Sequence, residues 1–509
     1  MSNNKSALPI ALLGVAIGIL STIIVDTATK QRRKAVSDRD WSKLNLVLQQ
    51  VQENYVDTVN VSDVTEAAIA AALASLDPHS VYIPPKDLEE TETDLIGNFD
   101  GIGIQFNVPN DTAIVLEVIA GGPSEAAGLL PGDRILQVDD EIIAGVKCPQ
   151  DSIVKKIKGP AGSHVAIKIS RDKEIVDFDI VRAKIPLHSV DAAFMLNDTT
   201  GYIRLVKFSA TTYTEVAKEA LDLVGAGMKR LIMDLRDNTG GYFNQALLLS
   251  NLFLKKGDVI VYLEGLHRKR EEYKADGRGL LQDVSLEVLL NEGSASSSEI
   301  FAGAIQDNHR GLIIGRRSFG KGLVQEPLYF TDGSAVRISV ARYYTPSGRC
   351  IQRPYKDGED YNADIYQRYV SGEVFGTDTI KTNGGIIPDI FVPIDTTRMT
   401  DFYIKCNRKA IPVKYASYIF DKYKKRLSVI DSYGALEDFF EAINIPASFL
   451  SFAAKQGVYA GKGEWARTEY YMMPLLHSVI GRYSKLGQNA NYKLYLPLDN
   501  TLQVALTAE

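Results

Sequence analysis

The stretch NEGSASSSEIFAGAIQDN, residues 291–308, decides the fold class. The apolar run LEVLLNE (286–292) reads as a strand ending at Asn291 and Glu292. A tight Gly293-Ser294 turn follows, and Ile300, Phe301, Ala304 and Ile305 then recur at helical spacing. Strand, turn and helix make one unit of an alternating α/β sheet, and similar units flank it. Upstream lie GYIRLVKF from Gly201, a helix from Tyr213 to Val224, RLIMDLR (230–236), a helix through Ala246 to Phe253, and DVIVYLE (258–264). Downstream, the helix from Ser297 to Gln306 leads into GLIIG (311–315). Alternation over residues 201–352 predicts a layered α/β domain with a largely parallel sheet.

The corner also carries chemistry. Ser294, Ser296, Ser297 and Ser298 sit where a strand meets a helix N-terminus, whose unpaired N–H groups and dipole favour developing negative charge. A nucleophilic serine needs that placement. A serine that merely caps the helix would be found there too. A nucleophile needs a base, and none of the six histidines (His79, His164, His188, His267, His309, His477) stands in a recognisable triad context. A lysine serves instead when desolvation lowers its pKa. Lys321 lies between two glycines in SFGKGLVQ (318–325), and Gln325, four residues on, can hold an amine by hydrogen bond.

Gly315 to Lys321 also spells G-x-x-x-x-G-K, a near match to a phosphate-binding loop. That motif needs Ser or Thr next and then a helix; here Gly322 and hairpin strands around Asp332-Gly333 follow, so the nucleotide reading fails on both counts. DLRDNTGG (234–241) closes one strand and opens a helix. Its paired Gly240 and Gly241 allow close backbone approach to a ligand, either as oxyanion donors or as a plain tight turn.

Away from this domain, residues 36–90 read as helical, with Trp41, Leu44, Leu46, Val47 and Val51 at helical spacing and an alanine-rich run from Val64 to Leu76 stopped by Asp77-Pro78. Residues 91–185 change to short strands and glycine turns with a single short helix near Asp151 to Ile157, a compact β-rich module. Residues 354–383 are polar and tyrosine-rich, and from Thr397 the chain is mostly helical.

The 509 residues correspond to about three or four domains. With 45% apolar and 24% charged residues the chain is neither disordered, collagen-like nor a polytopic membrane protein. A net charge of −6 argues against nucleic acid as a partner. Cys148, Cys350 and Cys406 form no disulfide framework or C-x-x-C pair, and no histidine has zinc spacing, so neither metal nor cofactor is expected. Residues 7–25, ALPIALLGVAIGILSTIIV, are 19 residues without a charge. As a helix they reach roughly 28 Å, enough to cross a bilayer core, either as an anchor or as a removed signal segment. Lys5 precedes this span and Lys30, Arg32, Arg33 and Lys34 follow it, which by charge alone keeps the body cytoplasmic.

In order along the chain, DPHSVYI (77–83), FDGIGIQF (99–106), GGPSEAAGLLPGDRI (121–135), DLRDNTGG, GSASSSEIFAGAIQDN, FGKGLVQ, YYTPSGRCIQ (343–352) and GGIIPDI (384–390) resemble the carboxy-terminal processing peptidases, or tail-specific proteases. The resemblance covers roughly residues 40–395. It implies a peptidase core of the ClpP/crotonase-like type over 186–395, an inserted PDZ-like domain over 91–185, and helical regions over 36–90 and 396–509. It implies a serine endopeptidase cutting near protein C-termini, with Ser296 as nucleophile, Lys321 as general base and Gln325 in support. The oxyanion hole falls on the backbone N–H of Gly241 (or Gly240) and of Ser297, where the family usually has alanine. Gly101, Ile102, Gly103 and Ile104 match the loop that captures a substrate's C-terminal carboxylate beside a strand edge. The resemblance places the protein in a bacterial envelope, on the periplasmic side, anchored by or secreted through its N-terminal segment. It leaves room for a homo-oligomer or an activating partner protein. The alternative is a catalytically silent, tail-binding scaffold of the PDZ type.

Overall fold

The computed structural model describes residues 42–88, 91, 98–109, 111–119, 121–355, 361–376, 384–395 and 399–508. The chain divides into two compact units, one of residues up to Pro84 with Leu328–Ile338 and one of Pro85–Pro327 with Ser339–Glu509. Residues 7–25 lie outside the described residues, among which no helix is long and apolar enough to cross a membrane.

In the first unit a helix over residues 42–54 precedes Val61–Ala74, which starts where the Asn60 side chain accepts the Ser62 N–H. The Asp77 carboxylate accepts the N–H groups of His79 and Ser80, each at 2.8 Å, and turns the chain. Val81–Ile83 then pairs antiparallel with residues 335–337. This strand departs from the helical reading of 36–90, because a β-branched and aromatic triplet follows a turn that breaks the helix.

The second unit is built on a six-stranded sheet. β1 (Val190–Met195) runs antiparallel to β2 (Thr200–Leu205); β3 (Arg230–Asp234), β4 (Ser285–Leu290), β5 (Leu312–Gly315) and β6 (Ile390–Phe391) continue from β2 in parallel. The intervening helices are α1 (Thr212–Gly225), α2 (Phe243–Asn251) and α3 (Ser297–Asp307). Alternate side chains enter different cores. Leu231, Met233, Val288 and Leu290 pack with Val216, Leu249 and Phe301, whereas Ile232, Leu289 and Ile314 pack with Leu502 and Ala505. Both faces are covered, which is why these strands read as unbroken apolar runs. Val259–Gly265 does not join this sheet. It forms a hairpin with Arg268–Lys274, and its far edge pairs with residues 342–344.

The β-rich module is an antiparallel sheet of Ile104–Asn107, Ala113–Val118, Arg134–Val138, His164–Arg171 and Glu174–Val181. Its core includes Ile135, Val165, Ile167 and Ile169, with Ile153 and Ile157 supplied by the helix Gln150–Ile157. A second short helix, Pro123–Ala127, stands where the sequence reading had only turns. Pro123 begins it and Gly128, at φ 90°, ends it in the left-handed conformation.

The C-terminal helices enclose an aromatic core of Tyr415, Phe420, Phe439 and Phe449. They dock on two partners. Against the β-rich sheet, Asp421 receives both guanidinium arms of Arg134 (3.1 and 2.5 Å), Arg482 donates to Gln105 (2.7 Å), and Leu116 packs into the aromatic core. Gly132, at φ 90°, leaves room for Phe420, whose ring would lie 2.3 Å from a Cβ there. Against the central sheet, Asn489 accepts the Ala193 N–H (3.1 Å) and the Tyr492 hydroxyl donates to Asp191 (2.6 Å).

Within the helical region His477 stacks on Phe440 at 4.3 Å, and burial holds its pKa down at about 4. The unfolded chain takes up a proton near pH 6.5, so the folded state loses stability as the pH falls from about 6.5 to about 4, by up to roughly 3 kcal/mol. His477→Phe should flatten that slope in a series of melting temperatures taken from pH 4 to 7; an unchanged slope would remove His477 as its source.

Candidate active site

Three of the four corner serines have the same task. Ser294 Oγ donates to the Leu235 carbonyl (2.8 Å), Ser297 Oγ to that of Gly241 (3.0 Å) and Ser298 Oγ to that of Asn238 (2.9 Å). Each ties the β4–α3 corner to loop 235–241, which leaves β3. Ser296 differs. Its φ of 56° and ψ of −112° are strained for a residue with a Cβ, and its side chain lies beside the Tyr343 phenol. Tyr343 is buried, which pushes its hydroxyl pKa up, and its ring stacks on Phe243 (5.9 Å, 7°).

Loop 235–241 is held by buried groups. Burial alone would raise the Asp234 carboxyl pKa, but Arg236 and Arg204 beside it hold it well below the usual carboxylate range. Arg236 also spans to Asp499 (2.8 and 2.6 Å), so the loop is pinned to the C-terminal helical region. Asn238 donates to the Leu205 carbonyl and accepts the Gly240 N–H, each at 2.9 Å. The Gly240 N–H is thereby committed. The Gly240 carbonyl accepts the Phe208 N–H (2.9 Å), so in a trans peptide the Gly241 N–H points away from Phe208. Both positions require glycine. A Cβ on Gly240 would lie 2.8 Å from Ser296 Cβ and 2.9 Å from Ser297 N, and one on Gly241 would lie 2.0 Å from the Phe208 carbonyl oxygen.

One carboxylate joins the corner to the lysine loop. Glu299, fully buried, accepts the N–H of Ser296 (2.8 Å) and of Lys321 (2.9 Å) on one oxygen, and the Gly320 N–H (2.7 Å) and the Ser318 hydroxyl on the other. Burial pushes its pKa up, against the pull of those four donors. Lys321 is half-buried. Its neighbour Gly322 donates to Gln352 (2.8 Å) and accepts the Tyr343 N–H (2.8 Å). Gln325 lies half-buried on the strand Leu323–Tyr329. Ser296, Ser297, Gly240, Gly241 and the Lys321 loop thus meet at one place.

The loop of Gly101, Ile102, Gly103 and Ile104 lies apart, in the β-rich module. The carbonyls of Ile102 and Gly103 are taken by the N–H groups of Ser124 and Ile119 (3.0 Å each). Ile102 is a core side chain, and Ile104 begins the edge strand of the sheet. Sequence reasoning passed over Glu299 and Tyr343. Glu299 carried a signal, since Ser-x-x-Glu before an apolar run is the spacing of a capping box; Tyr343 carried none beyond its motif. Among the described residues no three metal-ligating side chains come together.

A strained serine thus stands on a strand-to-helix corner, tied to a glycine loop and joined through Glu299 to a lysine loop, and the relatives of the chain are serine peptidases. Residues 199–359 match Peptidase family S41, and residues 101–181 match the PDZ domain. A carboxy-terminal-processing protease of Bartonella bacilliformis is 34% identical over 65% of this chain and 77% of its own length. A probable CtpA-like serine protease of Staphylococcus epidermidis is 31% identical over 68% of this chain and 70% of its own. The solved photosystem II D1 C-terminal processing protease is 26% identical, covering 68% of this chain and 86% of that one, with a TM-score of 0.39. The chain belongs to the carboxy-terminal processing peptidases of family S41.

Proposed function

We propose that the protein cleaves other proteins near their C-termini through a Ser296–Lys321 dyad. The observation that carries this reading is the division of labour among the serines: three hydroxyls are spent on carbonyls of loop 235–241, while strained Ser296 shares the Glu299 carboxylate with Lys321. Neutral Lys321 Nζ, held by Gln325, takes the Ser296 hydroxyl proton as Oγ attacks the scissile carbonyl. The Gly241 and Ser297 amides receive the oxyanion. The lysine then gives its proton to the departing amine as the C–N bond breaks. The same lysine then deprotonates a water, whose oxygen attacks the acyl carbon; as the Oγ–C bond breaks, the lysine gives that proton to Ser296 Oγ. Gly101 to Ile104 capture the substrate's terminal carboxylate, and its tail adds to the edge strand Ile104–Asn107. Residues 7–25 carry the body across a membrane to the periplasmic side of a bacterial envelope, as an anchor or a removed signal.

A fluorophosphonate probe tests the nucleophile directly. Peptide mapping by mass spectrometry should place the single phosphonyl adduct on Ser296, with labelling lost in Lys321→Ala and indifferent to chelator. An adduct on Ser294, Ser297 or Ser298 would move the nucleophile, and absence of any adduct alongside retained tail-peptide binding would favour the silent scaffold.

A further inference from the structure

We infer that the Ser297 side chain is a positioning residue for the oxyanion hole, a role separate from that of its backbone amide; this rests on the active-site reading above. Ser297 is 1% exposed, and the acceptor of its hydroxyl is the Gly241 carbonyl at 3.0 Å. The peptide that follows Gly241 is thereby gripped at both ends. Its carbonyl is held by Ser297 Oγ and its N–H, that of Tyr242, by the Phe208 carbonyl (2.8 Å). Among the described residues the preceding peptide is held at one end only, by the Phe208 N–H on the Gly240 carbonyl, and the Gly241 N–H at its other end is the proposed donor.

Gly240 at φ 95° and Gly241 at φ 144° are the softest joints in the loop, since glycine has no Cβ to restrict either torsion. Rotation at Gly241 would swing the donor amide off the oxyanion. Holding the Gly241 carbonyl restricts that rotation. The residue that grips it also contributes the second donor amide, at the first position of α3. One side chain therefore fixes the spacing between the two halves of the hole. An alanine at 297 leaves the second amide in place and leaves the first held only through the two Phe208 contacts.

The test is Ser297→Ala in the full chain, assayed with an unfolded protein ending in small apolar residues and with a peptide boronic acid, whose tetrahedral adduct places an oxygen in the hole. The variant should keep KM, lose about fivefold in kcat and the same factor in boronate affinity, the worth of one hydrogen bond, with a small fall in melting temperature as the Gly241 carbonyl loses its donor. Unchanged kcat and boronate affinity would overturn the inference. So would a loss confined to KM, or one that tracks melting temperature across Ser297→Ala and Ser297→Gly. Ser296→Ala run alongside separates the two readings: if it still cleaves and binds the boronate as the wild type does, the active-site assignment fails first; if it is silent while Ser297→Ala matches wild type, only the positioning role fails.

Discussion

Ser296→Ala and Lys321→Ala should each lower kcat by about ten thousandfold or more, and the double variant should be no worse than either alone. The non-additivity follows from the mechanism. Without the lysine the serine hydroxyl is a poor nucleophile, and without the serine the lysine has no proton to take. KM for a tail-bearing substrate should change little, because the proposed mechanism places capture of the tail in the PDZ domain and not at the corner. The assay is steady-state cleavage of an unfolded protein, with products read by mass spectrometry. Retention of more than a tenth of wild-type kcat in Ser296→Ala would move the nucleophile to a neighbouring serine. Each neighbour would then have to give up a hydrogen bond to Leu235, Asn238 or Gly241 before it could react.

The second large effect is expected at Glu299. An ionised carboxylate only accepts, and this one faces four donors: the amides of Ser296, Gly320 and Lys321, and the Ser318 hydroxyl. Glu299→Gln keeps the shape but turns an NH2 group toward two of them, leaving buried N–H groups without acceptors. Each such group costs about 1–3 kcal/mol. The variant should therefore be about 2–4 kcal/mol less stable in urea unfolding. Cleavage should fall further, by about a hundredfold in kcat, because the nucleophile and the base lose their common fastening. Stability lost with kcat retained would make Glu299 a purely structural group.

Much of this architecture was legible because the central strands are short, continuous apolar runs and the helices between them show their spacing. The hairpin of Val259–Gly265 was placed in the wrong sheet. Strand patterning reports that a segment is extended and buried, but not which neighbour it pairs with, and the charged partner Arg268–Lys274 has no apolar alternation to reveal it. The C-terminal helices were visible as helices, yet nothing local announces that Leu502 and Ala505 seal one face of the peptidase sheet, some 270 residues from Ile232 in the chain. At the site, four serines in five positions are indistinguishable by type. What separates them is the set of carbonyls offered by a loop that precedes them by more than fifty residues.

The docking of the C-terminal helices on both sheets has a kinetic meaning. With Asp421 and Phe420 against the PDZ domain and Tyr492 and Asp499 against the peptidase, the two domains are mounted on a common frame. On the proposed mechanism, a substrate held by its tail is a tethered reactant. Its local concentration at Ser296 is set by how many slack residues lie between tail and cut. Too few cannot span the gap, and many dilute the approach, so on the proposed mechanism the frame would act as a ruler that favours unfolded chains cut at a preferred distance from their ends.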